Sequence, residues 1–384
     1  MEIKVAGNIK VLKFGGTSVA DAAAFERAVQ IVRANQSSPV VVVVSAMSGV
    51  TDALIKSIRT GVNTLEEHFV RHLEVSESLS AEALSKCHVL IENSRDEITK
   101  LLDGGVVDRR TQDAIASHGE RLGAALFAMI LKHHGMPATY VDARRCILTD
   151  DEHGNANPLI KEVDLRTNAE LKPLLESSRM PVLGGFIGAT AEGVTTTLGR
   201  GSSDYTATLI GAAIHAGEIQ IWTDVDGVQT ANPKLVTATR TVPMLSYEEA
   251  KELAVLGARV MHPKMIGPVI EARIPIRIRN SRFPEQSGTL ICAQSKPPDG
   301  TVKAIAHLER VVACVGDGLS NGTQGAARVR RVLHEMDASL KWESTSDSNL
   351  ITFVDVERVA WIVRELHERL FEKRKGATVL DCRA

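Results

Sequence analysis

The chain has 384 residues, 44% of them hydrophobic and 24% charged, with 45 Lys and Arg against 47 Asp and Glu. Such a length excludes a disulfide-stapled mini-domain, predicts two domains of roughly 100–200 residues, and lets about three quarters of the unfolded chain's surface be buried. A net charge of -2 supplies no general field for nucleic acid or an anionic membrane, so neither is an expected partner.

Aromatic residues make up only 4%, so the core is expected to be Val, Leu, Ile and Ala. Five cysteines (Cys87, Cys146, Cys292, Cys314, Cys382) are scattered, odd in number and without a C-x-x-C pair. That pattern predicts reduced structural thiols, no zinc site and a cytoplasmic location. The opening residues lack a basic-then-apolar leader, and no apolar run approaches the about 18 residues of a membrane span.

Residues 9–14 read as a buried strand running into the Gly15-Gly16 turn. Phe25, Ala28, Val29 and Val32 then fall at helical spacing, with Asp21 as the expected cap. Five consecutive valines at 40–44 suit a central parallel strand covered on both faces. Strand, helix and strand with short connections make a βαβ unit. From 65 to 134 the pattern is helical, with Leu122, Ala125, Leu126, Met129 and Ile130 as its clearest stripe. Strands are expected at 138–143, 181–188, 219–223 and 274–280, and helical segments at 205–216 and 247–272. The turn-rich Ser295-Lys-Pro-Pro-Asp-Gly300 marks a boundary, predicting domains at 1–296 and 302–384. Beyond it, strands at 311–316, 339–343, 350–356 and 377–382 with helices at 326–336 and 358–372 give a ferredoxin-like βαββαβ order.

The strongest local signal is Lys13-Phe-Gly-Gly-Thr-Ser18, between the first strand and its helix. Ligands in open α/β sheets sit beyond the carboxyl ends of strands, and two glycines let backbone approach an anion closely. Lys13 would add a point charge to a transferring phosphoryl group. No G-x-x-x-x-G-K-[ST] loop occurs, and taken alone a strand–Gly–Gly turn is an ordinary βα connection. Glu120 alone reads as a helix-start carboxylate and Arg200 as a solvated loop residue. His118, His262 and the His133-His134 pair read as helix-end or surface residues, not metal ligands.

The segments gain meaning together and in order: KFGGTSV, SAMSGVTD, HGERL, GFIG, TTTLGRGSSDYTA, WTDVDGV and GARVMHP, spanning residues 9–292. This set resembles the amino acid kinase superfamily and, within it, the aspartokinase family. The resemblance implies an α/β fold, a mainly parallel sheet sandwiched by helices, followed by a small ACT-type βαββαβ domain. It implies transfer of the γ-phosphoryl of ATP, with Mg²⁺, to the β-carboxylate of L-aspartate. By the same resemblance Lys13 and Asp204 are catalytic, and Ser45, Thr51, Glu120, Phe186 and Arg200 shape the acceptor pocket. Lys13, Gly15, Gly16, Thr223, Asp224, Gln229, Lys234 and Arg259 would hold the nucleotide.

The chemistry suits those residue types. A carboxylate acceptor with a pKa of about 4 is already ionised at neutral pH, so charge neutralisation and in-line positioning replace a general base. Several positions depart from the family pattern. Ser202 stands in a usual glycine pair, Gln229 for a frequent tyrosine, Asn232-Pro233-Lys234 for Asp-Pro-Arg, and Arg259 for a common lysine. The length left after 300 accommodates one ACT unit, where many relatives carry two. Lys341 disfavours a lysine effector there, although another amino-acid effector is compatible. An exposed ACT sheet edge predicts a homodimer or larger homo-oligomer. Two alternatives stay open at this point: a kinase of the same fold for another amino or carboxylic acid, and a non-catalytic regulatory homologue.

Overall fold

The structure, a computed structural model, describes residues 8–105, 107–257, 261–293, 300–320, 323–337 and 341–372. The chain forms two compact units, one of 1–226 with 264–290 and one of 227–263 with 291–384.

In the first unit β1 (Lys10–Phe14) runs into a 3-10 turn and then α1 (Ala22–Asn35). Asp21 caps that helix, its carboxylate accepting from Ala24 N at 2.8 Å. β2 (Val40–Val44) follows, buried along its whole length as its unbroken β-branched run requires. Four helices come next: α2 (Val50–Thr60), α3 (Glu66–Ser76), α4 (Ala81–Asp103) and α5 (Arg109–His133). The chain then forms β3 (Ala138–Val141), α6 (Ile160–Glu176), β4 (Met180–Gly184), a hairpin of β5 (Ile187–Ala189) with β6 (Thr195–Thr197), α7 (Ser203–Ala213) and β7 (Glu218–Thr223). It passes to the second unit for β8 (Met244–Ser246) and α8 (Tyr247–Val255), and returns with α9 (Gly267–Ala272), β9 (Ile276–Asn280) and the start of β10 (Thr289–Cys292). The sheet of the first unit runs β3-β4-β2-β1-β7-β9, every neighbouring pair parallel. No helix among the described residues is long and apolar enough to cross a membrane.

α5 is the spine of this unit. Phe127 on it packs edge-on to Phe14 of β1 and Phe25 of α1, with ring centroids 5.6 and 5.4 Å apart. One face of the helix is bare: a Cβ on Gly119 would lie 2.8 Å from the Ala46 Cβ, and one on Gly123 3.2 Å from Ser45 O. Those two glycines, four apart, let α5 lie directly against the chain leaving β2.

Four expectations are corrected. The strand expected at 181–188 breaks after Gly184, because Phe186 turns into the left-handed region at φ 66°. The helical stretch expected at 247–272 divides, with Gly257 at φ 94° just beyond the first helix and a 3-10 turn at Pro263–Met265 before the second. Glu120 is not at a helix start. Asp108 caps α5, accepting from Thr111 N at 2.8 Å, so Glu120 sits mid-helix. His118, expected at a helix end or the surface, is buried in that same helix.

The second unit also holds β11 (Ala304–Leu308), β12 (Val311–Val315), α10 (Gln324–Met336), β13 (Asn349–Phe353) and α11 (Val356–Phe371). Its sheet is antiparallel, in the order β11-β12-β13. Sequence reading missed β11. The strand expected at 339–343 is reduced to one bridge from Glu343 to Ile351, with 339 and 340 outside the described residues. The strand expected at 377–382 and most of the 295–300 turn also lie outside them. The unit reaches further back than the expected 302–384. Ala231 and Val236 share its core with Ile305, Val312 and Ile362, and Thr230 O accepts from Ile305 N at 2.8 Å.

Truncating Phe127 to Ala should remove the common neighbour of Phe14 and Phe25 and lower unfolding free energy by about 3–5 kcal/mol. Chemical denaturation of the variant beside the parent checks it; a loss below 1 kcal/mol would contradict the central place given to this ring.

Candidate active site

The chain reverses its direction of travel across the sheet beside β1, with β2 on one side and β7 on the other. Connections leaving in opposite directions open a crevice beyond the carboxyl ends of those strands. Across β4, β2, β1, β7 and β9 each neighbouring pair is joined by one more backbone hydrogen bond past its ladder. Gly185 N donates to Val44 O at 2.9 Å, Ser45 N to Phe14 O at 3.0 Å, Gly15 N to Trp222 O at 2.9 Å, and Ser281 N to Thr223 O at 2.8 Å. Five adjacent strands therefore end together, and Phe186, Ser45, Gly15, Thr223 and Ser281 leave from one edge.

At the centre, Lys13 Nζ lies 2.6 Å from Asp204 Oδ1, and both side chains are largely buried. The contact is one of charge with charge and is not aligned as a hydrogen bond. Asp204 occupies the first turn of α7, where the helix dipole favours an anion. That helix is seated on the sheet through Gly211, where a Cβ would come within 2.5 Å of the Ile219 Cδ1. Gly15 leaves space beside the ammonium, since even an added Cβ would be 3.7 Å from Lys13 Nζ. Gly16 is required by proximity, as a Cβ there would be 2.8 Å from Ala46 O.

Glu120 reaches the same region from α5. Ala46 N donates to its Oε1 at 3.3 Å, while Oε2 is buried with no partner. Burial is the main influence on this carboxyl and pushes its pKa up to about 8, against the pull of the Ala46 and Glu120 amides and the Lys13 charge. Burial thus favours the protonated form of Glu120 at neutral pH, beside the Lys13–Asp204 contact. Gly184 allows this approach, as a Cβ there would meet the Glu120 Cβ at 3.0 Å. Its neighbour Gly185 does the same for α7, with a Cβ only 2.6 Å from that of Ser203.

Phe186 follows in its strained conformation, held from both sides. Its N–H donates to Thr206 Oγ1 at 2.9 Å, and its carbonyl accepts from Leu198 N at 2.9 Å. Ser45 and Thr51 are half-buried at the end of β2 and the start of α2. Arg200 is exposed on the turn before α7, its Nη2 3.5 Å from Asp52 Oδ1. Ser202 is fully buried and its hydroxyl has no partner.

On the β7 side, Thr223 Oγ1 donates to Asp224 Oδ1 at 3.2 Å, and Asn280 Nδ2 donates to Asp226 Oδ1 at 2.6 Å. Ser18 Oγ donates to Ser281 Oγ at 2.8 Å. Gln229 and Lys234 belong to the second unit, and Arg259 lies outside the described residues. Sequence reading missed Asp52, Thr206, Asn280 and Ser281. Asp52 was within a quoted motif, and the carboxyl end of β9 was open to the same strand-end rule that found Thr223. Among the described residues no group of three or more His, Cys, Asp or Glu side chains is placed to hold a metal ion.

The amino acid kinase family model matches residues 8–280. Lysine-sensitive aspartokinase 3 of Escherichia coli is 35% identical over 298 residues, covering 76% of this chain and 65% of that protein. Aspartokinase of Chlamydia muridarum is 35% identical over 283 residues, covering 74% and 63%. This chain thus spans a little under two thirds of either relative's length. Chloroplastic aspartokinase 1 of Arabidopsis thaliana is 31% identical over 399 residues, covering 98% of this chain and 69% of that one. Among solved structures, E. coli aspartokinase III in complex with aspartate and ADP superposes with a TM-score of 0.83 at 27% identity, covering 95% of this chain and all of that one. With the family model matching residues 8–280 and a relative 31% identical over 98% of this chain, the chain belongs to the amino acid kinase family.

Proposed function

We propose that this chain transfers the γ-phosphoryl of ATP to the β-carboxylate of L-aspartate, giving 4-phospho-L-aspartate and ADP. The observation that carries the reading is the buried Lys13–Asp204 pair at the crevice, with Glu120 beside it. The likeness to a structure that holds aspartate and ADP supports it.

In this reading a carboxylate oxygen of aspartate forms the new P–O bond as the bond from the γ-phosphorus to the β–γ bridging oxygen breaks, and no proton need move. Lys13 meets the transferring phosphoryl group, and the backbone at Gly15 and Gly16 lies along the same charge. Asp204 holds the ammonium in place before phosphate arrives. Glu120 takes the substrate ammonium, and Arg200 takes the α-carboxylate in the bidentate fashion suited to guanidinium. Ser45, Thr51 and Phe186 shape the acceptor pocket, while Thr223 and Asp224 face the nucleotide. Gln229, Lys234 and Arg259 are assigned to the nucleotide by resemblance alone. Mg²⁺ brought in with the nucleotide would be held by Asp204, since such an ion needs only one or two protein carboxylates. When bound it would neutralise phosphate charge.

For the second unit we propose an amino-acid effector, on the strength of the lysine complex described for E. coli aspartokinase III. The exposed Lys341 argues against a cationic one. The antiparallel sheet of that unit supports a homodimer or larger homo-oligomer as the working form.

Three measurements follow. Hydroxylamine trapping with MgATP should give aspartyl hydroxamate; product only with another acid would replace the substrate, and none with any acid would remove the kinase reading. Lys13→Ala should cut kcat by about a hundredfold or more, the usual loss for one preorganised donor. An unchanged kcat in that variant would refute the role of Lys13. The third concerns the raised pKa of Glu120. An ammonium docking beside it lowers that pKa, so aspartate binding at pH 7 should release close to one proton, and affinity should rise from pH 6 to 8. Calorimetry in buffers of different ionisation enthalpy reads this directly. Glu120→Gln should abolish the release. Because folding raises the Glu120 pKa, the wild type loses stability between its unfolded value and about 8, so the Gln variant should gain relative stability as pH rises across that window.

A further inference from the structure

We propose that Asp113 is a positioning residue for the acceptor half of the site, tying the arm that ends in Arg200 to the helix that carries Glu120. The inference rests on the aspartate-kinase reading for its kinetic consequence and stands on the geometry for its structural one.

Asp113 lies on α5 seven residues before Glu120, about two helical turns along the same face. It is a carboxylate 2% exposed, far from Lys13 in sequence and outside the motifs that identify the family. An ionised carboxyl group accepts only, so its burial is tolerated where donors surround it. Three do. Thr197 Oγ1 donates to Oδ1 at 2.5 Å, Gly154 N donates to Oδ2 at 3.0 Å, and His153 Nδ1 lies 2.8 Å from Oδ2. These donors come from two segments that are not neighbours in sequence, the 150–157 loop and the end of β6.

The two segments are also joined to each other. Ala156 N donates to Thr197 O at 2.8 Å. Two residues beyond Thr197, Gly199 turns at φ 92° against Asn155, whose Oδ1 accepts from Lys264 Nζ at 3.0 Å. The 150–157 loop is closed on itself by Asn157, with N and Nδ2 both donating to Asp150 at 2.8 Å. Thr197 and the buried Leu198, whose N–H donates to Phe186 O at 2.9 Å, are the last firmly held residues before Arg200, whose side chain is 70% exposed and lies 3.5 Å from Asp52. A long exposed side chain can place a guanidinium reproducibly only if its backbone pivot is fixed. The Asp113 carboxylate refers that pivot to α5, so the two charges assigned to the acceptor's ends share a common frame. Misplacement of about 1 Å in such a frame can cost on the order of a hundredfold in rate.

The test compares Asp113→Ala, Asp113→Asn, Thr197→Val and His153→Phe in the full chain. Steady-state kinetics with aspartate and with ATP are paired with amide hydrogen exchange over 196–201. Asp113→Ala should raise the aspartate KM about tenfold or more, leave the ATP KM within about twofold, and speed exchange in that segment. Asp113→Asn, which keeps an acceptor for Thr197, should recover part of the loss. Should Asp113→Ala fail to fold, Thr197→Val and His153→Phe, each removing one bond, should show the same split at about threefold. Equal rises in both KM values, or a raised aspartate KM with unaltered exchange, would overturn the positioning role. A wild type that turns over no aspartate would sink the substrate reading instead, and the exchange arm would still decide whether Asp113 holds the segment.

Discussion

An ammonium and a carboxylate 2.6 Å apart, both largely withdrawn from water, are the constraint around which the first unit is arranged. Each ion would be costly to bury alone, and removing one partner of such a pair leaves the other uncompensated at about 3–5 kcal/mol. The pair joins β1 to the first turn of α7 through residues 13 and 204, distant in sequence, and so fixes the helix whose preceding turn carries Arg200. It also keeps a positive charge ready at a place where phosphate charge can be met. A lysine held by an aspartate is oriented before any ligand arrives, which is what preorganisation requires.

Around that pair the fold separates two halves of one crevice. Residues leaving β2 and β4 meet α5 on one side, and those leaving β7 and β9 form the other. The separation follows from strand order: β1 is the hinge of the topology, so its carboxyl end faces both halves. Glycines make the α5 side possible. At 119 and 185 the absence of a Cβ permits approaches that an added one would block, and at 123 and 184 it spares contacts of 3.2 and 3.0 Å. Glu120 is the result, a carboxyl group placed in a helix interior where burial raises its pKa to about 8.

Much of this was legible in the sequence. The valine run of β2 and the spacing of α1 are patterns that burial alone dictates, and both elements appear where the pattern puts them. Lys13, Glu120 and Asp204 were found by their place in ordered motifs, and the fold brings them together. What escaped reading depends on contacts between distant segments. Nothing local in HGER reveals that α5 is capped at Asp108, because the reason for a mid-helix Gly119 is the close approach of the distant Ala46. The break at Phe186 is hidden for a similar reason: a phenylalanine with positive φ is improbable locally and persists through Thr206 and Leu198. The boundary of the second unit was placed by composition at 295–300, whereas its core recruits Ala231 and Val236 from an excursion that composition does not mark.

Arg200 and Glu120 differ in how they are mounted. The acid is embedded in the unit's central helix, and any drift in its location would disturb packing around Phe127 as well. The arginine's own side chain is 70% exposed on a solvent-facing turn and can be exchanged without disturbing the core. Divergence among proteins of this architecture toward acceptors of other lengths or shapes therefore has an easy route and a hard one. On the proposed reading, the amine end of the acceptor is a fixed datum inherited with the scaffold, and evolutionary novelty should accumulate at the opposite end, in the rim side chain itself.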